Sequence, residues 1–417
     1  MTELNPDFAA EAARTTKQGE VSFSVSEAFY SRTDKRGVIV AGNTVFQRLS
    51  GYDWEEILGA PHKIIRHPDM PKGVFHLLWE RLQNDKVTGC YVKNRAKDGR
   101  YYWVFALVSP TDSGYLSSRI KPTCDRLPLV EELYADLLKR EKEDGLKPAE
   151  SAALLEDMLR DHGYANYNAF QSSALADEFR SRHAQLNIPL DTVQLKYLEM
   201  SKAISEVAAE TTGMTEAFQA IRTVPMNMSI IASRLENAGG PISAISVNYS
   251  QMLEEMSSWV NTFVDGDKCV FSRMRAAILE GQFLSFARAL KSDMRVFFEQ
   301  EDPACSDDVD LDEEISRLEK REAVLLEKTL ASLQNVEVEA RRFARSVLDM
   351  KRYVTGLSST RMMCKIESAS LAQSGTELAG IVDQLDAGQN EIEMRLARVV
   401  ELNAVIQGST SMLRSLF

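Results

Sequence analysis

The sequence predicts an α+β domain at its N-terminal end, followed by an all-α region of long helices that form a bundle or coiled coil. Three observations carry this. Strand-like sequence lies almost wholly before residue 122, with three of the four tryptophans and frequent Gly turns. Beyond it Leu, Ala, Glu, Arg and Met, all good helix formers, dominate. Late in the chain, Val336, Ala340, Phe343, Val347, Met350, Val354 and Leu357 recur at alternating spacings of four and three, the seam of a coiled coil or bundle.

Composition narrows the class. Hydrophobic residues are 44% and charged residues 26% of 417, the balance of a chain that buries a core. A formal charge of -12 argues against a nucleic-acid partner, which needs clustered Lys and Arg. No apolar run reaches the ~18–20 residues of a membrane span, and residues 1–20 lack the apolar core of a secretory signal. Five scattered cysteines form no CxxC pair, and five scattered histidines offer no metal site. The chain is therefore expected to be soluble and cytoplasmic, without membrane insertion, and to keep its thiols reduced.

The elements follow in order. Residues 1–20 read as a polar, weakly helical lead-in, and 21–122 as the α+β domain. Ala28-Phe29-Tyr30 and Val38-Ile39-Val40 flank the turn Asp34-Lys35-Arg36-Gly37. Asn43 is placed to cap a helix over 44–50 that Gly51 ends. A longer helix follows Pro71 to about Leu82, since proline suits a first helical turn. Strands at 91–94 and 101–108 join across Lys97-Asp98-Gly99, with a last strand at 115–120. Three short helices, 127–143, 148–160 and 167–182, fill a linker subdomain over 123–185. The output region, 186–417, should hold a helix over 190–236, a Gly239-Gly240-Pro241 break, a helix over 242–298, an acidic loop over 299–314 and the heptad helix. A second apolar stripe follows at Ile392, Leu396, Val399 and Leu402. Either stripe fits an intramolecular core or a seam shared with a second copy. A faint repeat at an offset of 136 aligns Met226, Ile230, Leu235 and Gly239 with Met362, Ile366, Leu371 and Gly375, and chance similarity of two helices explains it equally well.

Two strings are more informative than periodicity. LSGYDWEEILGAPHKIIRHPDMPKGVFHLLWERL and YVKNRAKDGRYYWV resemble the PAS domain of bacterial aerotaxis receptors, over roughly residues 22–122. The resemblance implies a five-stranded antiparallel sheet with short helices around one pocket, FAD as ligand, and a redox or oxygen signal. Carried over position by position, it implies cofactor contacts from Asn43, Arg66, His67, Asp69, Phe75, Trp79, Asn94 and Trp103. An apolar slot with a few convergent polar groups is what a flavin requires. The chain departs from the pattern before the third strand, where Thr88 stands in place of the family's tryptophan. Heme through His76 and an empty pocket used for protein contacts are the alternatives. Cys90 lies on a strand rather than in the helix motif of photoreactive flavin domains, so no light-driven adduct is expected.

Beyond the PAS region, Met226–Ile242 (MNMSIIASRLENAGGPI) is similar to the tip of methyl-accepting chemotaxis receptors. Asn227, Ile230, Ala232 and Arg234 match, whereas Ile231 replaces a glutamate, and Pro225 and Pro241 interrupt a helix that is continuous in that family. The resemblance implies a chemotaxis kinase or adaptor as partner of a degenerate tip at 224–242, through Met226, Asn227, Met228, Ile230 and Arg234. A bundle core is the other reading of that Met-rich stripe. Cyclase, kinase and P-loop motifs and a basic helix-turn-helix are missing from the sequence, so no catalytic centre is expected. The expectation is a homo-oligomeric cytoplasmic sensor that relays a pocket signal through Asn43 or Asn94 and the segment after residue 120 to a signalling partner. The alternative is a cofactor-free PAS scaffold for oligomerisation or localisation.

Overall fold

A computed structural model of the chain describes residues 19–234, 239–264, 269–300, 310–370 and 375–417. Strands β1 (Ala28–Asp34), β2 (Ile39–Gly42), β3 (Thr88–Arg95), β4 (Tyr101–Thr111) and β5 (Gly114–Ile120) pair in the order β2-β1-β5-β4-β3. Every pair is antiparallel, as expected from the sequence. Register sets the faces, because side chains alternate along a strand. Phe29, Ser31 and Thr33 of β1 stand opposite Arg119, Ser117 and Tyr115 of β5, and Ala106 of β4 lies between Arg119 and Cys90 of β3. These form the inner face, while Tyr30, Arg32 and Ser118 belong to the outer one.

Between β2 and β3 run α1 (Thr44–Ser50), α2 (Trp54–Ile57), a 3-10 turn (His62–Ile65) and α3 (Lys72–Gln83). Asn43 Oδ1 accepts from Phe46 N at 3.2 Å and Tyr30 N at 3.0 Å, and its Nδ2 donates to Ala28 O at 3.1 Å, so it both caps α1 and ties the helix to β1. Gly51 closes α1 at φ +71°, a conformation glycine adopts without strain. The first turn of α3 is capped from outside. The buried Glu141 of α4 (Leu127–Glu143) accepts from Lys72 N at 2.6 Å, Gly73 N at 3.3 Å and Ser151 Oγ at 2.6 Å. Helices α5 (Pro148–Asp161) and α6 (Tyr167–Gln185) follow, close to the helices expected over 148–160 and 167–182.

The remaining helices are α7 (Thr192–Ile221), α8 (Val224–Arg234), α9 (Gly239–Val264), α10 (Val270–Gln300), α11 (Leu311–Ser370) and α12 (Gly375–Leu416). Three boundaries differ from expectation. The single helix over 190–236 is two, since Pro225 opens a new first turn at α8, where its missing N–H costs nothing. The helix expected over 242–298 begins earlier, at Gly239, with Pro241 in its first turn. It is also two helices, one ending at Val264 and the next beginning at Val270, and residues 265–268 lie outside the described residues. The segment expected as an acidic loop over 299–314 is helical at both described ends: α10 runs to Gln300 and α11 begins at Leu311, where Asp310 Oδ1 accepts from Glu313 N at 3.1 Å as its cap, while 301–309 lie outside the described residues. The N-terminal lead-in to residue 18, and Leu235 and Leu371 of the internal repeat, lie outside the described residues.

The chain divides into two compact units: residues up to Gln194 with Leu279–Thr329, and Leu195–Ile278 with Leu330–Phe417. The division is not collinear with the sequence, because the end of α10 and the start of α11 belong with the sheet. There they meet its outer face. The Glu314 carboxylate of α11 accepts from Tyr30 OH and from Arg32 Nε at 2.9 Å, and Lys291 Nζ of α10 donates to Ser118 Oγ at 3.0 Å. In the second unit the heptad residues Val336 through Leu357, and Ile392, Leu396, Val399 and Leu402, are all buried, which makes both stripes core within one chain.

Candidate functional site

The inner face of the sheet, the 3-10 turn and α3 enclose a cavity of about 170 Å³. Its apolar wall comprises Phe75, Leu78 and Leu82 of α3 with Val92, Ala106 and Val108 of the sheet. Trp79 stands at the solvent side, packed edge-on against Tyr115 at 5.0 Å.

The polar groups are concentrated on β1, β3, β5 and the turn. Arg119 is only 4% exposed, yet no carboxylate lines the cavity among the described residues. Its guanidinium donates to Ser31 Oγ at 2.7 Å and to His62 Nε2 at 2.6 Å, and lies 5.4 Å from the Phe29 ring centroid. A guanidinium has only donors, so His62 Nε2 accepts and the imidazole carries its proton on Nδ1. Burial and the Arg119 charge push the His62 pKa down to about 3, so it is neutral. Burial also lowers Arg119, to about 10, which leaves it charged at neutral pH. Beside them Asn94 Nδ2 and Ser117 Oγ are buried without a hydrogen-bond partner. Such a group costs about 1–3 kcal/mol, and several around one cavity mark a place where a ligand supplies the acceptors.

Of the residues singled out in the sequence, Arg66, Phe75, Trp79 and Asn94 meet at this cavity. Arg66 stacks over Phe75, 3.9 Å from its centroid, and donates to Met70 O at 3.2 Å. The other four do not line it. Asn43 is committed to its cap. His67 Nδ1 accepts from Asp69 N at 3.1 Å, and Asp69 pairs with Lys93 at 2.7 Å near the surface. Trp103 faces outward, 6.1 Å from Tyr134, beside a groove that it shares with Asp69, Lys93 and α4. The string Arg66-His67-Pro68-Asp69 thus divides, with only its arginine turned inward. Arg119, His62, Ser31 and Ser117 were missed. The one signal in β5 is the shared parity of Tyr115, Ser117 and Arg119, but period two does not say which face is inner.

These residues suit a flavin ring, whose pyrimidine edge is acceptor-rich: Asn94, Ser117 and Arg119 offer the donors, and α3 offers the apolar wall. The cavity is ring-sized, below the ~300–1,000 Å³ of sites that enclose a whole ligand. They do not suit heme. His76 is not a lining residue, and Nε2 of His62 is already taken by Arg119. Burial lifts the Cys90 thiol to about 12, so it is not a nucleophile at neutral pH. No group of three His, Cys, Asp or Glu among the described residues is placed to hold a metal, and no helix there is long and apolar enough to cross a membrane.

On the second unit the proposed partner residues separate. Met226 and Ile230 are 69% and 46% exposed, and Asn227 and Arg234 are also exposed, whereas Met228 is 1% exposed and part of the core.

The five-stranded sheet with its helix-covered pocket is that of a PAS domain, and residues 39–117 match the family model described as PAS fold. The N-terminal region is thus a PAS domain, and it is similar to part of the aerotaxis receptor of Escherichia coli (strain K12), to which it is 40% identical over 112 residues, 26% of this chain and 22% of that protein. The bacterioopsin transcriptional activator of Halobacterium salinarum is 25% identical over 109 residues, 25% of this chain and 16% of that protein. The chain thus spans about a fifth of the length of the curated relatives it matches. Among solved structures, a light-oxygen-voltage domain from work with a flavin analogue aligns at 20% identity and TM-score 0.23, covering 29% of this chain and 90% of that one. The PAS domain of a Colwellia psychrerythraea protein aligns at 21% identity and TM-score 0.20, covering 22% and 85%.

Proposed function

We propose that the protein is a signal-transducing sensor whose PAS cavity takes the ring of a flavin, FAD by resemblance, and reports redox state or oxygen to the helices docked on the sheet. The observation that carries this is the pair of uncommitted groups, Asn94 Nδ2 and Ser117 Oγ, that stand beside the buried Arg119 and face an apolar slot. When bound, the flavin supplies reversible electron transfer. The chain does the rest. Asn94 and Ser117 orient the polar edge, and the α3 wall and Trp79 limit water. Ser31 and Arg119 sense the change in charge on the inner face. Strands β1 and β5 carry it across the sheet, because their neighbouring residues Tyr30, Arg32 and Ser118 hold Glu314 and Lys291 on the outer face. A ligand biases the helices only through a difference in affinity for two states. The exposed Met226, Asn227, Ile230 and Arg234 are the surface offered to a chemotaxis kinase or adaptor, and the setting is cytoplasmic.

The visible spectrum of the purified protein tests this. Flavin bands near ~450 nm are expected. A colourless protein after incubation with FAD would move the assignment to a cofactor-free PAS scaffold.

A further inference from the structure

Arg119 is the cavity's least explained residue. A buried cation without a counter-charge costs several kcal/mol and is retained where something else supplies the negative charge. The titratable or charged groups that face it are His62 on the 3-10 turn with Lys63 and Arg66 beside it, Cys90 on β3, Tyr102 on β4 and, from the outer side of the sheet, Lys291. None is a carboxylate. His62 has its Nε2 occupied as an acceptor, and α3 contributes only Phe75, Leu78, Trp79 and Leu82. Among the described residues none that lines the cavity supplies the counter-charge, and the low-dielectric walls would make the attraction for a negatively charged ligand strong.

Resting on the flavin reading above, we propose that Arg119, braced by Ser31 and His62, is the counter-charge for the reduced flavin and holds its pyrimidine edge as an anion. A two-electron donor then reduces the ring with uptake of one proton. Two electrons enter, an N–H bond forms at N5, no proton joins N1, and one negative charge remains on the N1–C2 carbonyl edge opposite the guanidinium. Arg119 is in this sense a positioning and redox-tuning residue, and the signal passed to the sheet is the arrival of that charge.

The test is the pH dependence of the midpoint potential of the full chain loaded with FAD, followed spectrally on the acid side of neutrality, where free reduced flavin still holds its N1 proton. One proton per two electrons gives ~30 mV per pH unit, and two give ~60 mV. The wild type should show the shallower slope, Arg119→Gln the steeper one, and Arg119→Lys, which keeps the charge, should restore the shallow slope. A steep slope in the wild type, or equal slopes in wild type and Arg119→Gln, would overturn this assignment while leaving flavin binding intact. If Arg119→Gln does not retain flavin, the wild-type and Arg119→Lys slopes decide. A wild type that takes up no FAD would sink the flavin reading and this inference together.

Discussion

Glu314 fastens the start of α11 to β1 of the PAS sheet, while Arg321 further along the helix donates to Pro110 O of β4. The carboxylate is 2% exposed and is held by Tyr30 OH and by Arg32, whose Nη2 donates at 2.6 Å and whose side chain is 15% exposed. Taking one partner from a buried pair costs about 3–5 kcal/mol. Arg32 keeps some water, so the low end, about 3 kcal/mol, is expected for Glu314→Ala. The protein has two units, so one global unfolding free energy is not the right quantity. Amide hydrogen exchange is, because it reads local opening. About 3 kcal/mol corresponds to a roughly 150-fold loss of protection, expected in the first turns of α11 and along β1. Replacing all three partners together, Tyr30→Phe with Arg32→Met and Glu314→Met, should recover most of it, since an apolar cluster of similar volume is often neutral against a buried ion pair. A loss below ~10-fold in Glu314→Ala, about 1.4 kcal/mol, or a triple variant as labile as the single one, would refute the reasoning.

Three further outcomes are expected. His62 has a folded pKa of about 3 against an ordinary ~6.5. Between these values the unfolded chain binds a proton that the folded one does not, so stability is full above ~6.5 and falls with decreasing pH by up to ~1.4 kcal/mol per unit; His62→Gln should flatten this acid limb in thermal melts. Lys291 is wholly buried with Ser118 as its hydrogen-bond partner, and burial pushes its ammonium well below the ordinary lysine range. Its folding penalty vanishes above ~10.4 and grows as pH falls below that value, so Lys291→Met should melt later than wild type near pH 7, with the gap narrowing in alkali. On α8, circular dichroism should show lost helicity for Met228→Glu, which buries a charge, and a wild-type spectrum for Ile230→Glu; the reverse would mean that the two faces of α8 are exchanged.

Much of the fold was legible because local signals agreed. Asn43 and Gly51 bracket α1, Pro71 opens α3, Asp98-Gly99 turns β3 into β4, and the heptad seam marks core along α11. What escaped depends on tertiary placement. Nothing local in Glu313-Glu314 distinguishes a residue that docks on Tyr30, 284 positions away, from a helix-capping acid. The non-collinear division of the chain is hidden for the same reason. At the site, helix-borne Phe75 and Trp79 could be read from motif and position, whereas His67 and Asp69 share a string with Arg66 and still turn to the surface. Arg119 was the hardest. A lone arginine in a strand usually faces water, and only the pairing of β5 between β1 and β4 puts it inside.

The proposed sensor requires coupling between the state of the PAS cavity and the helices on the far face of the sheet. It is tested most directly by hydrogen exchange on the FAD-loaded chain, oxidised and chemically reduced, followed at β1, β5 and the first turns of α11. Altered protection at α11 together with β1 and β5, and loss of that difference in Arg119→Gln, is the expected result. Identical exchange at α11 in both redox states, with the cofactor fully reduced, would contradict it.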